Sequence, residues 1–225
     1  MNMLFLTKID TLADGSMIET TTIFELLLKG GLFLIPVLLL SVVGLYIFVE
    51  RYLTIKKADK LDDSFMPNIK DYVTNGNIAA AKSLCQQNES PVARMIEKGI
   101  IRIGKPLKNI EVAIENVGKL ELFKLEKGLN VLATISGAAP MLGFLGTVTG
   151  MIKAFYAMAN AGNNIDVGVL AGGIYEALIT TAVGLAVGIM AFVGYNLLVN
   201  MVDKVVHKME ATSVEFVDLL QEPAS

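Results

Sequence analysis

One carboxylate, Glu176, stands at the head of an apolar run, Ala177 to Val202, that carries no other charge. Holding an ionised group inside a bilayer costs several kcal/mol, about 3 on insertion scales. A chain that accepts this cost usually uses the group to move an ion or proton, or to pair with another membrane protein. The same run contains Thr180-Thr181, and a second apolar stretch contains Thr147 within Gly146-Thr147-Val148-Thr149-Gly150. Hydroxyls level with a carboxylate suit a polar ring along an ion path, and Thr180 is a candidate further oxygen for a sodium ion. A threonine can equally spend its hydroxyl on the carbonyl four residues back. Glu176 can likewise serve helix pairing alone, so a passive membrane scaffold stands as the rival reading.

The elements that must position these groups are read from where the apolar residues fall. The chain has 225 residues, 53% of them hydrophobic and 18% charged, with a mean hydropathy of +0.57. The excess is gathered into three blocks: Leu32–Val49 without a charge, Leu129–Ala159 with Lys153 alone, and Val167–Val202 with Glu176 alone. Each is long enough to span a bilayer as a helix and too long for a core strand. The early apolar patch Met3–Leu6 is too short for the core of a secretory signal, so the first span is expected to stay in the mature protein. Of the 19 Lys and Arg residues, 14 lie between residues 51 and 128. The positive-inside rule therefore puts that segment, and the tail after Val202, in the cytoplasm, with the N-terminus and the link 160–166 outside. This asymmetry, with a net charge of −3, excludes a nucleic-acid surface.

Thr22-Ile23-Phe24-Glu25 has the spacing of a capping box and predicts a short amphipathic helix, Ile23–Lys29, at the outer interface. Residues 55–105 read as a small helical domain. Asn75-Gly76-Asn77 turns into a helix over Ile78–Gln87, and Ser90-Pro91 caps another that ends near Ile103 ahead of Gly104 and Pro106. From Lys108 the helical pattern runs into the second span, which Pro140 would kink rather than end; about fifty residues make roughly 75 Å of helix. Beyond the third span, Leu198, Val202, Val205, Met209, Thr212, Phe216 and Leu219 form a coiled-coil-like seam. Bundling with further copies of the chain would cover it.

Small residues recur at four-residue spacing in spans two and three, as Ala139/Gly143/Thr147, Gly146/Gly150 and Gly184/Gly188. In lipid this pattern lets helix backbones approach closely. Counted from the cytoplasmic ends, Thr147 lies roughly 27 Å up span two and Thr181 roughly 31 Å up span three, so the two hydroxyls share a depth near Glu176. Other signals carry less. Gly99-x4-Gly104-Lys105 imitates a phosphate loop, but Pro106 replaces the hydroxyl residue and no strand precedes it. Asn88-Glu89-Ser90 is a glycosylation sequon only in spelling, since it falls on the cytoplasmic side. His207 is the only histidine, which leaves no metal ligand set, and no cofactor or enzymatic activity is expected. The lone Cys85 reads as a small buried apolar residue, and Lys153 as a side chain snorkelling to the outer interface.

Span two, Ala139-Pro140-Met141-Leu142-Gly143-Phe144-Leu145-Gly146-Thr147-Val148-Thr149-Gly150-Met151, resembles the signature of the ExbB/TolQ/MotA proton-channel family. Glu176-Ala177-Leu178-Ile179-Thr180-Thr181-Ala182-Val183-Gly184-Leu185 resembles its third-helix signature. The likeness covers essentially the whole chain, and three spans match the ExbB/TolQ branch better than a four-span motility stator. Departures are Phe144 for the usual Leu, the added hydroxyl of Thr180, and the charge of Lys153. The resemblance implies an inner-membrane motor subunit driven by the proton motive force. It would form a pentamer around a one-span ExbD/TolR-like partner that supplies the essential aspartate, and energise a TonB- or TolA-like effector. Thr147 and Thr181 would then face that aspartate, with Glu176 nearby. The alternative is a sodium- or proton-driven stator for motility.

The expected fold is an all-α membrane protein with three transmembrane helices, the second and third extended far into the cytoplasm. Its parts are a periplasmic segment, 1–30; the first span, 31–50; a cytoplasmic helical domain, 51–107; a long helix with the second span, 108–159; the link, 160–166; the third span with its extension, 167–221; and a tail, 222–225.

Overall fold

A computed structural model describes residues 9–11, 17–19, 31–160 and 167–221. Two short strands, β1 (Ile9–Thr11) and β2 (Met17–Glu19), pair antiparallel with Ile9 opposite Glu19. This three-residue hairpin was not predicted, and everything else regular is helical: α1 (Leu34–Ala58), α2 (Phe65–Thr74), α3 (Ile78–Gln87), α4 (Pro91–Ile100), α5 (Leu107–Glu126), α6 (Leu129–Asn160) and α7 (Val167–Gln221). The predicted interface helix Ile23–Lys29 and the tail 222–225 lie outside the described residues, as does all of the link but Asn160, the last residue of α6. Among the described residues, three helical stretches are long and apolar enough to cross a membrane: α1, α5 with α6, and α7. The protein is thus an all-α membrane protein with long later helices, apart from the hairpin.

The chain divides into two compact units, one of residues 1–45 with 131–193 and one of residues 46–130 with 194–225. In the first, α1, α6 and α7 meet at Val37, Ile135, Ala139, Val187 and Ala191, flanked by Leu40, Leu142 and Val183. Pro140 sits inside α6 without ending it.

The second unit stacks its short helices in chain order, α2 on α3, α3 on α4 and α4 on α5. Caps explain their starts: the Asn77 carboxamide oxygen accepts from the Ala80 amide, and the Ser90 hydroxyl oxygen accepts from the Ala93 amide, with Pro91 at the first helical position. The core holds Ile55, Ile69, Ile96, Ile100 and Ile114, with Cys85 buried beside them in α3. Burial, aided by the negative charge of Glu97, pushes the Cys85 thiol up to about 12. Glu121 is buried too, and is held by Arg94 at 2.9 Å and Lys124 at 2.7 Å.

Two expectations need correction. The helix predicted to run unbroken from Lys108 into the second span is interrupted: Lys127 leaves the helical region (ψ 125°) and Gly128 takes φ +85°. Apolar periodicity carries across Gly128, and only its left-handed backbone, which favours glycine, makes the break. The seam on α7 was expected to be covered best by bundling with other copies of the chain. Leu198, Val202, Val205, Met209, Thr212 and Phe216 are instead buried by the chain itself, and only Leu219 stays half-buried. Gly99 makes room for the Phe216 ring, since a Cβ there would lie 2.6 Å from ring atom Cε1 and 2.8 Å from Ile114.

Candidate functional site

The groups singled out by type converge on the antiparallel pair α6 and α7, and glycine sets how closely those helices lie. A Cβ at Gly184 would lie 2.7 Å from the Ala139 carbonyl oxygen, and one at Gly143 would lie 3.0 Å from the Thr180 carbonyl oxygen. Gly146 meets the Thr180 side chain, Gly150 meets Ala177 and Gly173, and Gly173 meets Ala154. At the other end Gly188 receives the Pro140 ring and lies by the Ser136 carbonyl, the acceptor that proline leaves without its helical donor. In lipid, where apolar surface gains nothing by leaving the solvent, this backbone proximity is the main source of attraction between helices.

Each threonine hydroxyl has a specific destination. Thr181 Oγ1 donates across the pair to the Gly143 carbonyl at 2.9 Å. Thr180, buried beside Gly146, donates to the Glu176 carbonyl at 2.9 Å. Thr147 Oγ1 donates to the Phe144 carbonyl at 2.6 Å and opens on a groove otherwise lined by Val148, Met151, Ile152 and Phe155. Thr147 and Thr181 therefore lie at neighbouring levels of the pair but turn to different acceptors. Each hydroxyl oxygen keeps acceptor capacity for a further donor.

The carboxylate of Glu176 lies 3.8 Å from Lys153 Nζ. It also presses on Gly31, where a Cβ would overlap Oε1 and where φ is +68°. Lys153, expected to snorkel to the interface, thus reaches an acid on the facing helix. Reasoning from sequence missed this pair and the part played by Gly31. The signal was available: Lys153 stands six residues past Thr147 and Glu176 five before Thr181, so the count that levels the threonines also levels the two charges. Gly99 and Gly104 of the phosphate-loop imitation have separate structural duties, the first in packing against Phe216 and the second in a turn at φ +89°.

Three apolar spans, a close glycine-faced pair of antiparallel helices and one membrane carboxylate beside threonines define the class: a multi-pass membrane protein built for ion traffic or helix assembly. The profile of the MotA/TolQ/ExbB proton channel family matches residues 87–211. An ExbB homologue of the biopolymer transport class from Methanothermobacter thermautotrophicus is 32% identical over 194 residues, covering 84% of this chain and 67% of its own. An ExbB-like biopolymer transport protein of Synechocystis is 30% identical over 81% of this chain and 73% of its own. The Tol-Pal system protein TolQ of Haemophilus influenzae is 41% identical over 76 residues, 34% of this chain and 33% of its own. The chain belongs to the MotA/TolQ/ExbB proton channel family and is a multi-pass inner-membrane protein.

Proposed function

We propose that this chain is the channel-forming subunit of a motor driven by the proton motive force. It assembles as a homo-oligomer, a pentamer, around a one-span partner of the ExbD/TolR kind. Protonation and release of an aspartate on that partner's membrane helix, opposite Thr147 and Thr181, rearranges the inner helices and pulls on a TonB- or TolA-like effector. The N-terminus faces the periplasm and the C-terminus the cytoplasm, as the distribution of Lys and Arg supports. The observation that carries this reading is the site's incompleteness. The apolar blocks Leu32–Val49, Leu129–Ala159 and Val167–Val202 hold one carboxylate, Glu176, beside Thr180 and Thr181, too few groups for a proton relay, so the missing titratable group comes from a partner.

The test is co-reconstitution with a one-span, aspartate-bearing subunit. Glu176→Ala is expected to assemble and lose proton-driven work, and Glu176→Gln separates loss of charge from loss of packing. One observation favours a second reading, the passive scaffold: Thr147, Thr180 and Thr181 all spend their protons on backbone carbonyls. Full proton flux in an assembled Glu176→Ala complex would decide for that reading. A dependence on sodium that the double substitution Thr147→Val with Thr181→Val converts to one on protons would identify a sodium-driven stator.

A further inference from the structure

The second unit leaves large apolar side chains on its surface at one level in particular. Past Val49, where the first charge-free block ends, α1 still exposes Tyr52 and Leu53, and the last turns of α5 expose Leu120 and Phe123, the latter at 73%. The two helices run side by side in opposite directions here. Arg51 Nη1 donates to the Lys124 carbonyl at 3.1 Å, and Ile47 Cγ2 lies 3.6 Å from where a Gly128 Cβ would stand. One residue beyond the Arg51–Lys124 contact, on the side away from the spans, stand Tyr52 on α1 and Phe123 on α5. Exposed lysines edge the group: Lys56 and Lys57 a turn further along α1, and Lys119 and Lys127 a turn to either side of Phe123, with Glu126 the acid among them. The Lys56 amine lies over the Tyr52 ring, 5.6 Å from its centre, while Lys57 and Lys119 reach Glu89 and Glu115.

We propose that Tyr52, Leu53, Leu120 and Phe123 form a collar seated in the headgroup layer of the cytoplasmic leaflet, with phospholipid as the partner that covers it. Leu53 lies four residues past Val49, roughly 6 Å along the helix. The headgroup region adds about 5–7 Å beyond the hydrocarbon on each side, so the collar falls within it. Aromatic rings are enriched at that depth because an apolar body and a polar edge both find partners there. Lysines suit its lower rim, since their stems lie along apolar surface while their amines reach water and lipid phosphate. The collar sets how deep the chain sits. It brings the Glu50–Arg51 ion pair and the turn at Gly128 into the headgroup layer, where Arg51 is already satisfied by a carboxylate and a carbonyl. The proposal needs membrane insertion and not the proton pathway.

The chain contains no tryptophan, so Phe123→Trp and Leu53→Trp each give the full chain a single indole fluorophore on an already exposed site. The variants are reconstituted into vesicles of phosphatidylethanolamine and phosphatidylglycerol whose acyl chains carry bromine either near the headgroups or near the chain ends. Both indoles are expected to lose emission strongly to bromine near the headgroups, less to bromine near the chain ends, and little to acrylamide in the water. Val112→Trp, roughly 16 Å further from the span along α5, is expected to show the reverse, quenched by acrylamide and not by lipid. Acrylamide quenching without bromine quenching at either collar position overturns the proposal in favour of a face in water. Protection from both quenchers at either position overturns it in favour of a face covered by protein, a second copy included. Lipid quenching in a complex that does no proton-driven work upholds the collar and counts against the channel reading alone.

Discussion

The two units of the chain solve the same packing problem with opposite side chains. Outside the membrane unit, the interior is built around large residues, with Phe216 and Ile114 fully covered and a glycine making room for a larger side chain, as Gly99 does for the Phe216 ring. Within it, the α6–α7 contact is made of glycine, alanine and threonine, while Phe144, Met141 and Ile189 point outward at 67%, 72% and 61% exposure. Water drives large apolar surface inward at about 25 cal/mol per Å². Lipid offers no such drive, so attraction comes from backbones brought close enough for dispersion and hydrogen bonds. Charge follows the same division: Glu121 is buried but satisfied by two cations, Arg94 and Lys124, whereas among the described residues Glu176 meets one cation, Lys153.

The contrast is sharpest for matched substitutions. Phe216→Ala should cost about 3–5 kcal/mol, the range for emptying a filled aromatic site. Phe144→Ala, which removes a ring facing outward, should change stability by less than about 1 kcal/mol in bilayers. Thermal or denaturant unfolding of the two variants in one lipid system checks this, and equal losses would break the comparison. For glycine the direction reverses. Gly184→Val drives a side chain into the Ala139 carbonyl and should cost about 1–3 kcal/mol by overpacking, while Gly137→Val enters open space and should be nearly neutral.

Cys85 supplies a pH test confined to the second unit. Its thiol stays protonated up to about 12 in the folded chain because burial penalises the thiolate, whereas an exposed thiol ionises near its ordinary value of 9.0. Below that value the protonated thiol is common to both states and stability is unaffected. As pH climbs from 9 towards 12 only the unfolded chain loses the proton, so stability falls by at most about 1.4 kcal/mol per pH unit. Unfolding of wild type against Cys85→Ala across that window isolates the slope, which should be shallower in the variant. Native Cys85 should also resist alkylation at neutral pH.

Much of the architecture was legible because periodicity and length carry it. The spans, the bounds of α3, the cap at Ser90 and the buried face of α7 follow from residue spacing and turn chemistry. Periodicity says that a face is covered and not by what, which is why the Leu198–Phe216 seam pointed to other copies when the chain's own helices cover it. It is also blind to a single backbone dihedral, so Gly128 passed as helical. Strands of three residues are too short to alternate, and the hairpin left no pattern to read. At the site, residue types and levels were legible, but the direction of a hydroxyl and the pairing of two distant charges are set by packing between helices.

The smallest effect tests where the membrane helices derive their hold. Thr181→Val is nearly isosteric and removes the hydroxyl that donates to the Gly143 carbonyl at 2.9 Å. Hydrogen bonds between membrane helices average about 0.6 kcal/mol, so the variant should be less stable by about that amount. Thr147→Val should cost less still, because its hydroxyl bonds within its own helix and the Phe144 carbonyl remains open to other donors. If backbone proximity dominates, the stability lost in Thr181→Val stays well below that in Gly184→Val. A loss as large would mean that the hydrogen bond, and not the glycine face, holds α6 to α7. The double variant Thr147→Val with Thr181→Val adds a functional readout to that ranking. It should still assemble, because both stability terms are small, and should do no proton-driven work if the hydroxyls line the path. Full activity under a purely proton gradient would assign both threonines to packing alone.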